Sequence, residues 1–507
     1  MRTPMRTRRF ILTSAMSALM LLATTGMGAA AATLRVATTA LPGSLGNPYR
    51  TTGIPNIYAW SAIFDGLTRI DARGQLQPWL ATAWTQIDPV TWQFTLRPGV
   101  TFSNGARFTA DAVVNVANYL TGPAAPRETV ARELGLKSAR RIDDLTVELV
   151  TVQPNPMLPR ALSLFYMVEP GQWQRLGPED FAKDPVGTGP FRVTRMTPNT
   201  WELAAVPTSW RPPKMEALRF TAAPDVSART QGVLANQVDL ALQLGPSEAD
   251  ALDAGGAKGV PYPIAEVWAY QFHQVTGGNP ALRDKRVREA LNIAVDRDTI
   301  VKALFHGRAV PAREPAPSNA FGYDPNIPPI PYDPARAKAL LAEAGYPNGF
   351  RFIMQAVIGS GPADADVYQK VAQDLSKIGV TMEIRPFPVQ QLFRGVVEGA
   401  WDGDAFGLTY ATPPSVDVLR GITQHSCLGT HPWYCDQSIM PTIRAAYVEA
   451  DPAKAIALRQ EVMRSYRNNY ASLFLYELTR FAGTVAGLRG FAEVHGFISF
   501  DKIEIVK

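Results

Sequence analysis

Cysteine and histidine are scarce in this 507-residue chain: there are two cysteines and five histidines. Two cysteines cannot staple a fold of this size, and a chain this long buries a large core without staples. With so few imidazoles and thiols, no dense zinc-ligand pattern can be written. H-E-x-x-H, G-x-S-x-G and the phosphate loop G-x-x-x-x-G-K-[ST] are all missing, so the common signatures of metalloprotease, serine hydrolase and nucleotidase chemistry are missing with them. Carboxylates are plentiful, but nothing marks a catalytic pair, and no enzyme activity or cofactor is expected. After residue 32 no apolar run reaches ~18 residues, so no membrane-spanning helix is expected. There is no low-complexity tract and no internal repeat.

Excess charge is also missing once the start of the chain is set aside. The formal net charge is +5, from 50 basic and 45 acidic residues. Arg2, Arg6, Arg8 and Arg9 lie in the first 32 residues, which hold no acid. Taking those four from the 50 leaves 46 basic against 45 acidic residues, a net of +1. No basic stripe remains for nucleic acid. The same 32 residues carry an apolar stretch from Phe10 to about Ala23 and a small-residue run, Gly28 to Ala32. Together these read as a secretory signal peptide cleaved near Ala31 or Ala32. Thr7-Arg8-Arg9-Phe10-Ile11-Leu12 resembles a twin-arginine export signal; an ordinary Sec leader with adjacent arginines reads the same way. No cysteine near the cleavage region offers a lipid anchor.

What is present is globular: 46% apolar and 19% charged residues, enough for two to four domains. Leu34–Thr38 reads as a strand, followed by a Gly/Pro-rich loop over 41–49. Trp92, Phe94 and Leu96 alternate with polar residues, as do Leu145, Val147 and Leu149, the pattern of half-buried strands. Thr109 is placed to cap a helix carrying Val113, Val116, Ala117 and Leu120 on one face. From about residue 280 helices alternate with strands. Val287, Ala290, Leu291, Ala294 and Val295 have helical spacing. Asp333-Pro334 opens a helix that Gly345 ends. Val367, Val371, Leu375 and Ile378 form another stripe, stopped by Gly379, and Val380–Ile384 is the next strand. This is α/β grammar. Gly187-Thr188-Gly189-Pro190 is no phosphate loop, since no lysine follows at the required spacing, and it reads as a structural turn.

Several blocks taken together resemble the peptide/nickel/opine family of extracytoplasmic solute-binding proteins. They are Ile63–Thr68, Leu76–Trp84, Thr91–Gly105, Phe108–Val113, Val186–Phe191, Arg286–Leu291 with Asp296-Arg297, and Tyr332–Pro347. Each block is weak alone; their order and spacing make the match specific. The resemblance implies an α/β fold like the type II periplasmic binding proteins, two lobes with a hinge plus an inserted third domain. The expected division is a signal peptide over 1–32, domain I over 33–60, 186–268 and 479–507, domain II over 61–185, and domain III over 269–478. Domains I and III are expected to close over ligand like a hinged clamp.

The implied partners are a small peptide-like or opine-like solute and the permease subunits of an ABC importer at the inner membrane. A periplasmic, monomeric protein is expected. A nickel-chelate receptor, or an exported sensor or enzyme using the same clamp, is the alternative. Asp65, Asp111, Asp296, Arg286 and Arg288 fall inside the blocks and read as turn, cap and ion-pair residues. The ligand site is expected where the lobes meet. Candidates are Tyr49 at the end of the 41–49 loop, Trp268 and Tyr270 on one strand face with His273 opposite, and Tyr410, Thr412, Asp417 and Arg420 in or beside the 406–417 loop. Asp417 is the candidate anchor for a solute amine. Relatives that bind nickel use a loop histidine, a role for which His425 is the weak candidate; otherwise no metal ligand is assigned. Cys427 and Cys435 either form a local disulfide, as export favours, or join His425 and His431 around a metal.

Overall fold

The computed structural model describes residues 32–506 apart from Thr276 and Ser360. The leader, including the arginine pair and Ala31, lies outside the described residues.

Local sequence rules explain most elements. The helix Ala110–Thr121 starts directly after Thr109 and buries Val113, Val116, Ala117 and Leu120, although the Thr109 side chain makes no capping bond. Asp333 does cap Pro334–Glu343, accepting from the Arg336 amide at 2.8 Å, which satisfies one of the free amides of the first turn. The stripe Val367, Val371, Leu375 lies on helix Asp364–Ser376 and is buried. The chain then turns at Gly379, with φ of 81°, into strand Thr381–Pro386. Arg288 forms no ion pair among the described residues: it is buried and donates to the carbonyls of Leu282, Arg283, Asn469 and Tyr470.

Most strands join one twelve-stranded sheet. Its backbone is an antiparallel pair of long strands, Lys258–Phe272 and Ser472–Thr484, paired from Lys258↔Thr484 to Gln271↔Ser472. At one end of the pair, Leu240–Leu244 joins, then Thr33–Thr38 and Ala217–Ala222. At the other, Ala405–Gly407 joins, then Arg351–Ala356 and Thr381–Pro386. The pairing shifts register between Pro263 and Val267, midway along the pair. A separate four-stranded antiparallel sheet runs from Ala81–Asp88 through Thr91–Leu96 and Thr146–Thr151 to Leu136–Arg141. It forms a third body beside the sheet's first end.

The family-like blocks converge on one buried carboxylate. Asp65 accepts from Trp79 Nε1 (2.8 Å), Trp210 Nε1 (3.1 Å) and Thr188 Oγ1 (2.9 Å), and pairs with Arg211 at 2.9 Å. Arg211 in turn pairs with Asp501 at 2.7 Å. Gly187 and Gly189 bring Thr188 in: a Cβ at Gly187 would stand 2.1 Å from the Ile63 carbonyl oxygen, and one at Gly189 2.5 Å from the Ile63 carbonyl carbon. The glycines therefore serve a close backbone approach.

Candidate functional site

Between the four-stranded body and the far lobe runs a cleft of about 790 Å³. One wall is built by helix Thr129–Leu134, residues 151–155 and Ala161. The other is built by Pro414, Ser415, Asp417, helix Val418–Gln424, and Arg444 and Tyr447 of helix Met440–Val448. A second chamber of about 600 Å³ continues it toward His431 and Trp433. Arg132, Glu133, Arg420 and Thr423 line both. Behind Pro414 lies a small cavity of about 30 Å³ bounded by Arg69, Tyr166 and His495, room for about one water. A further cleft of about 720 Å³, bounded by Thr39, Gln243, Arg229, Ala363 and Arg480, opens elsewhere between the lobes.

Two contacts join the walls. Arg160, buried, donates through Nε to the Ser415 carbonyl at 2.7 Å and through Nη2 to Val416 (3.2 Å) and Gly74 (2.8 Å). Burial lowers its pKa to about 10, with Asp417 opposing the change and Arg459 reinforcing it. Arg420 pairs with Glu133 at 2.9 Å, both partly exposed.

Asp417 and Arg420 line this cleft, but Asp417 is fully engaged. Its Oδ1 accepts from Arg459 Nε (2.9 Å) and the Leu419 amide (3.1 Å), and its Oδ2 from Arg459 Nη2 (2.8 Å). Asp417 thus caps the helix that carries Arg420 and neutralises a wholly buried guanidinium, where the sequence pointed to a solute amine. Tyr410 and Thr412 stand behind the wall. The Tyr410 hydroxyl bonds Ser472 Oγ at 2.7 Å, and Thr412 Oγ1 donates to the Ala265 carbonyl at 2.7 Å.

The other candidates are packed away from the cleft. Tyr49 is buried against Tyr119 and Trp173, its hydroxyl donating to the Tyr166 carbonyl at 2.7 Å. Trp268, Tyr270 and Phe272 do share a strand face, but that strand is central and all three are buried. Tyr270 stacks on Tyr368 at 4.8 Å. His273 packs against Trp401 and Phe406, and burial lowers its pKa to about 4. His425 stacks on Tyr410 at 3.9 Å, with Nε2 3.1 Å from the Thr409 carbonyl; burial lowers its pKa to about 3. Cys427 and Cys435 are joined by a disulfide, which leaves no thiolate for a metal. Among the described residues no group of three or more His, Cys, Asp or Glu could hold a metal ion.

Sequence reasoning missed Arg132, Glu133, Arg160 and Arg444. Arg160 was legible only as a basic residue after Leu158-Pro159, and nothing in the pattern paired it with residue 415.

Open, water-accessible clefts, one between the four-stranded body and the far lobe and one between the two lobes of the large sheet, leave room for a ligand. The chain belongs to the bacterial extracellular solute-binding proteins, family 5: the profile of that family's middle region matches residues 75–426. The glutathione-binding protein GsiB of Shigella flexneri serotype 5b is 26% identical over 353 residues, 67% of this chain and 66% of the relative. The match thus spans just under two thirds of that relative's length. HbpA2 of Haemophilus parasuis has the same fold, with a TM-score of 0.80 at 22% identity, over 94% of this chain and 100% of that one. The periplasmic DppA of Helicobacter pylori in complex with the peptide STSA scores 0.73 at 20% identity, over 94% and 98%. No helix among the described residues is long and apolar enough to cross a membrane.

Proposed function

We propose that this protein is the extracytoplasmic receptor of an ABC importer. It captures a small peptide-like or opine-like solute between its lobes and delivers it, as a periplasmic monomer, to permease subunits in the inner membrane. The observation that carries this reading is the set of clefts between the folded bodies, of which the larger has walls from residues 129–161 and 414–448 bridged by Arg160 and the Glu133–Arg420 pair. Contacts of this kind, made across the walls, are what a ligand must add to favour closure. The peptide and glutathione named for its relatives supply the solute class.

The test is a thermal-shift panel on protein lacking residues 1–32, unfolded and refolded to strip bound solute. The panel holds dipeptides, glutathione, opines and nickel with histidine. A ligand at 100 times its dissociation constant adds about 2.7 kcal/mol to the native state. A shift with peptides or opines supports the reading. A shift with nickel-histidine alone replaces it, and turnover of any probe would make the protein an enzyme.

A further inference from the structure

The cleft of about 720 Å³ between the two lobes of the large sheet is lined by a glutamine that is tied down at every polar atom but one. Gln243 lies in strand Leu240–Leu244 with a φ of 58°, a conformation that strains a residue with a side chain. The pairing with Ser472–Thr484 shifts register at this point, between Ala241 and Leu244. Its neighbours hold it there. Arg229 Nη2 donates to the Gln243 carbonyl at 2.9 Å, and the Gln243 amide donates to the Tyr262 hydroxyl at 3.4 Å. Side-chain Oε1 accepts from Thr38 Oγ1 (2.9 Å), Thr39 Oγ1 (2.7 Å) and the Thr39 amide (3.2 Å). A backbone amide can only donate, so the atom it faces is the oxygen, and the orientation of the carboxamide is settled. Nε2, with two N–H donors, makes no hydrogen bond among the described residues.

Other polar side chains on this cleft are committed. Arg229 donates to the carbonyls of Ala223, Pro224, Leu242 and Gln243. Asp225 and Glu248 accept from the amides of Ala228 and Gly245. Arg480 has no hydrogen bond or ion pair among the described residues, so nothing fixes its direction. Gln243 alone offers donors whose direction is set in advance. From the far lobe, Gly359, Gly361, Pro362 and Ala363 line the same space.

Resting on the solute-capture reading above, we infer that Gln243 is a specificity-determining residue of the receptor, its Nε2 donating to a carbonyl or hydroxyl oxygen of a solute held between Thr39 and residues 359–363. A donor fixed beforehand loses no rotamer freedom on binding. A solute lacking an oxygen at that place would leave the donor unpaired, which is how a site built for a hydrogen bond rejects analogues.

The experiment measures binding by calorimetry on the refolded protein, with glutathione and Ala-Leu as probes. Gln243→Glu keeps an oxygen for Thr38 and Thr39 and puts a second oxygen in place of Nε2. It should weaken the probe that binds by about tenfold or more, with no fall in the unliganded melting temperature. Gln243→Met, which adds no charge, should weaken it as much. In the parent protein, the side-chain amide proton resonances that vanish in Gln243→Glu should shift when the probe is added, a response a purely structural glutamine would not give. Should the variants fail to fold, those resonances are assigned by through-bond correlation and decide alone. Equal affinity in parent and variants, a loss in Gln243→Glu without one in Gln243→Met, or amide resonances unmoved by a bound probe would overturn the inference and leave solute capture intact. If neither probe binds, never-unfolded protein is weighed by native mass spectrometry. Solute carried by the parent and depleted in both variants supports the inference, and equal loading overturns it. No solute on any of them overturns both this inference and the receptor reading.

Discussion

Arg459 closes Nε and Nη2 onto the two oxygens of Asp417, at 2.9 and 2.8 Å, with the guanidinium wholly buried. The same arginine donates through Nη1 to the Ala446 and Ala455 carbonyls, so a single cation pins three segments behind the cleft wall. Removing one partner of a buried pair leaves the other uncompensated, at about 3–5 kcal/mol. Asp417→Ala should therefore lower the urea midpoint strongly, and Arg459→Ala by a similar amount. A variant Asp417→Ala of unchanged stability would return this carboxylate to the list of ligand contacts.

Arg160 ties its own wall to the facing one through two carbonyls, those of Ser415 and Val416, and donates also to the Gly74 carbonyl. Arg160→Met keeps most of the aliphatic bulk but donates nothing. The unliganded protein should then populate a more open form, seen as a larger radius of gyration in small-angle scattering and as faster proteolysis near residues 413–417. Identical scattering from both proteins would show that these bonds do not govern closure.

The disulfide Cys427–Cys435 closes a short loop beside the second chamber. Loop-closure entropy for so short a ring is about 2–3 kcal/mol. Cys427→Ser with Cys435→Ser should lower stability by up to that amount, and dithiothreitol should do the same to the parent protein and nothing to the double variant.

Stability should depend on pH from both sides. Glu314 and Glu493 are buried, each with one oxygen lacking a partner, and burial raises their pKa values to about 9 and about 8. Both bind protons more tightly folded than unfolded. Their contribution is full below the usual 4.5 and is lost as pH rises toward 8 or 9. His273 and His425 behave oppositely. Burial depresses them to about 4 and about 3, so their contribution is full above 6.5 and is lost as pH falls. The melting temperature should show a broad maximum between about pH 4.5 and 6.5. Glu493→Gln should flatten the alkaline limb. A melting temperature that climbs steadily from pH 6 to 8 would contradict this.

Much of the fold was legible because its signals are local. The Asp333 cap, the 367–375 stripe and the 91–96 alternation need only neighbours a few residues away, and each lies in the element it suggested. The Gly187-Thr188-Gly189 turn was also readable as structure, though its purpose, the approach to Ile63 and Asp65, was not. The site was far less legible. Its contacts join residues 287 apart in Glu133–Arg420, 255 apart in Arg160–Ser415 and 42 apart in Arg459–Asp417. Alternation places Trp268 and Tyr270 on one face but cannot say what covers that face. Here the strand lies mid-sheet and is buried on both sides, as its nearly unbroken apolar run allows.

The two long strands that carry the sheet from one lobe to the other are paired with each other along the crossing, with register shifts between Pro263 and Val267 and between Trp268 and Ala269. A paired ribbon of this kind is a leaf spring: it flexes across its thin direction and resists sliding along its length. Lobe movement then runs chiefly along the opening and closing direction rather than by sliding. Whatever docks against both lobes at once need only measure their spacing, and can tell a loaded molecule from an empty one without touching the cargo.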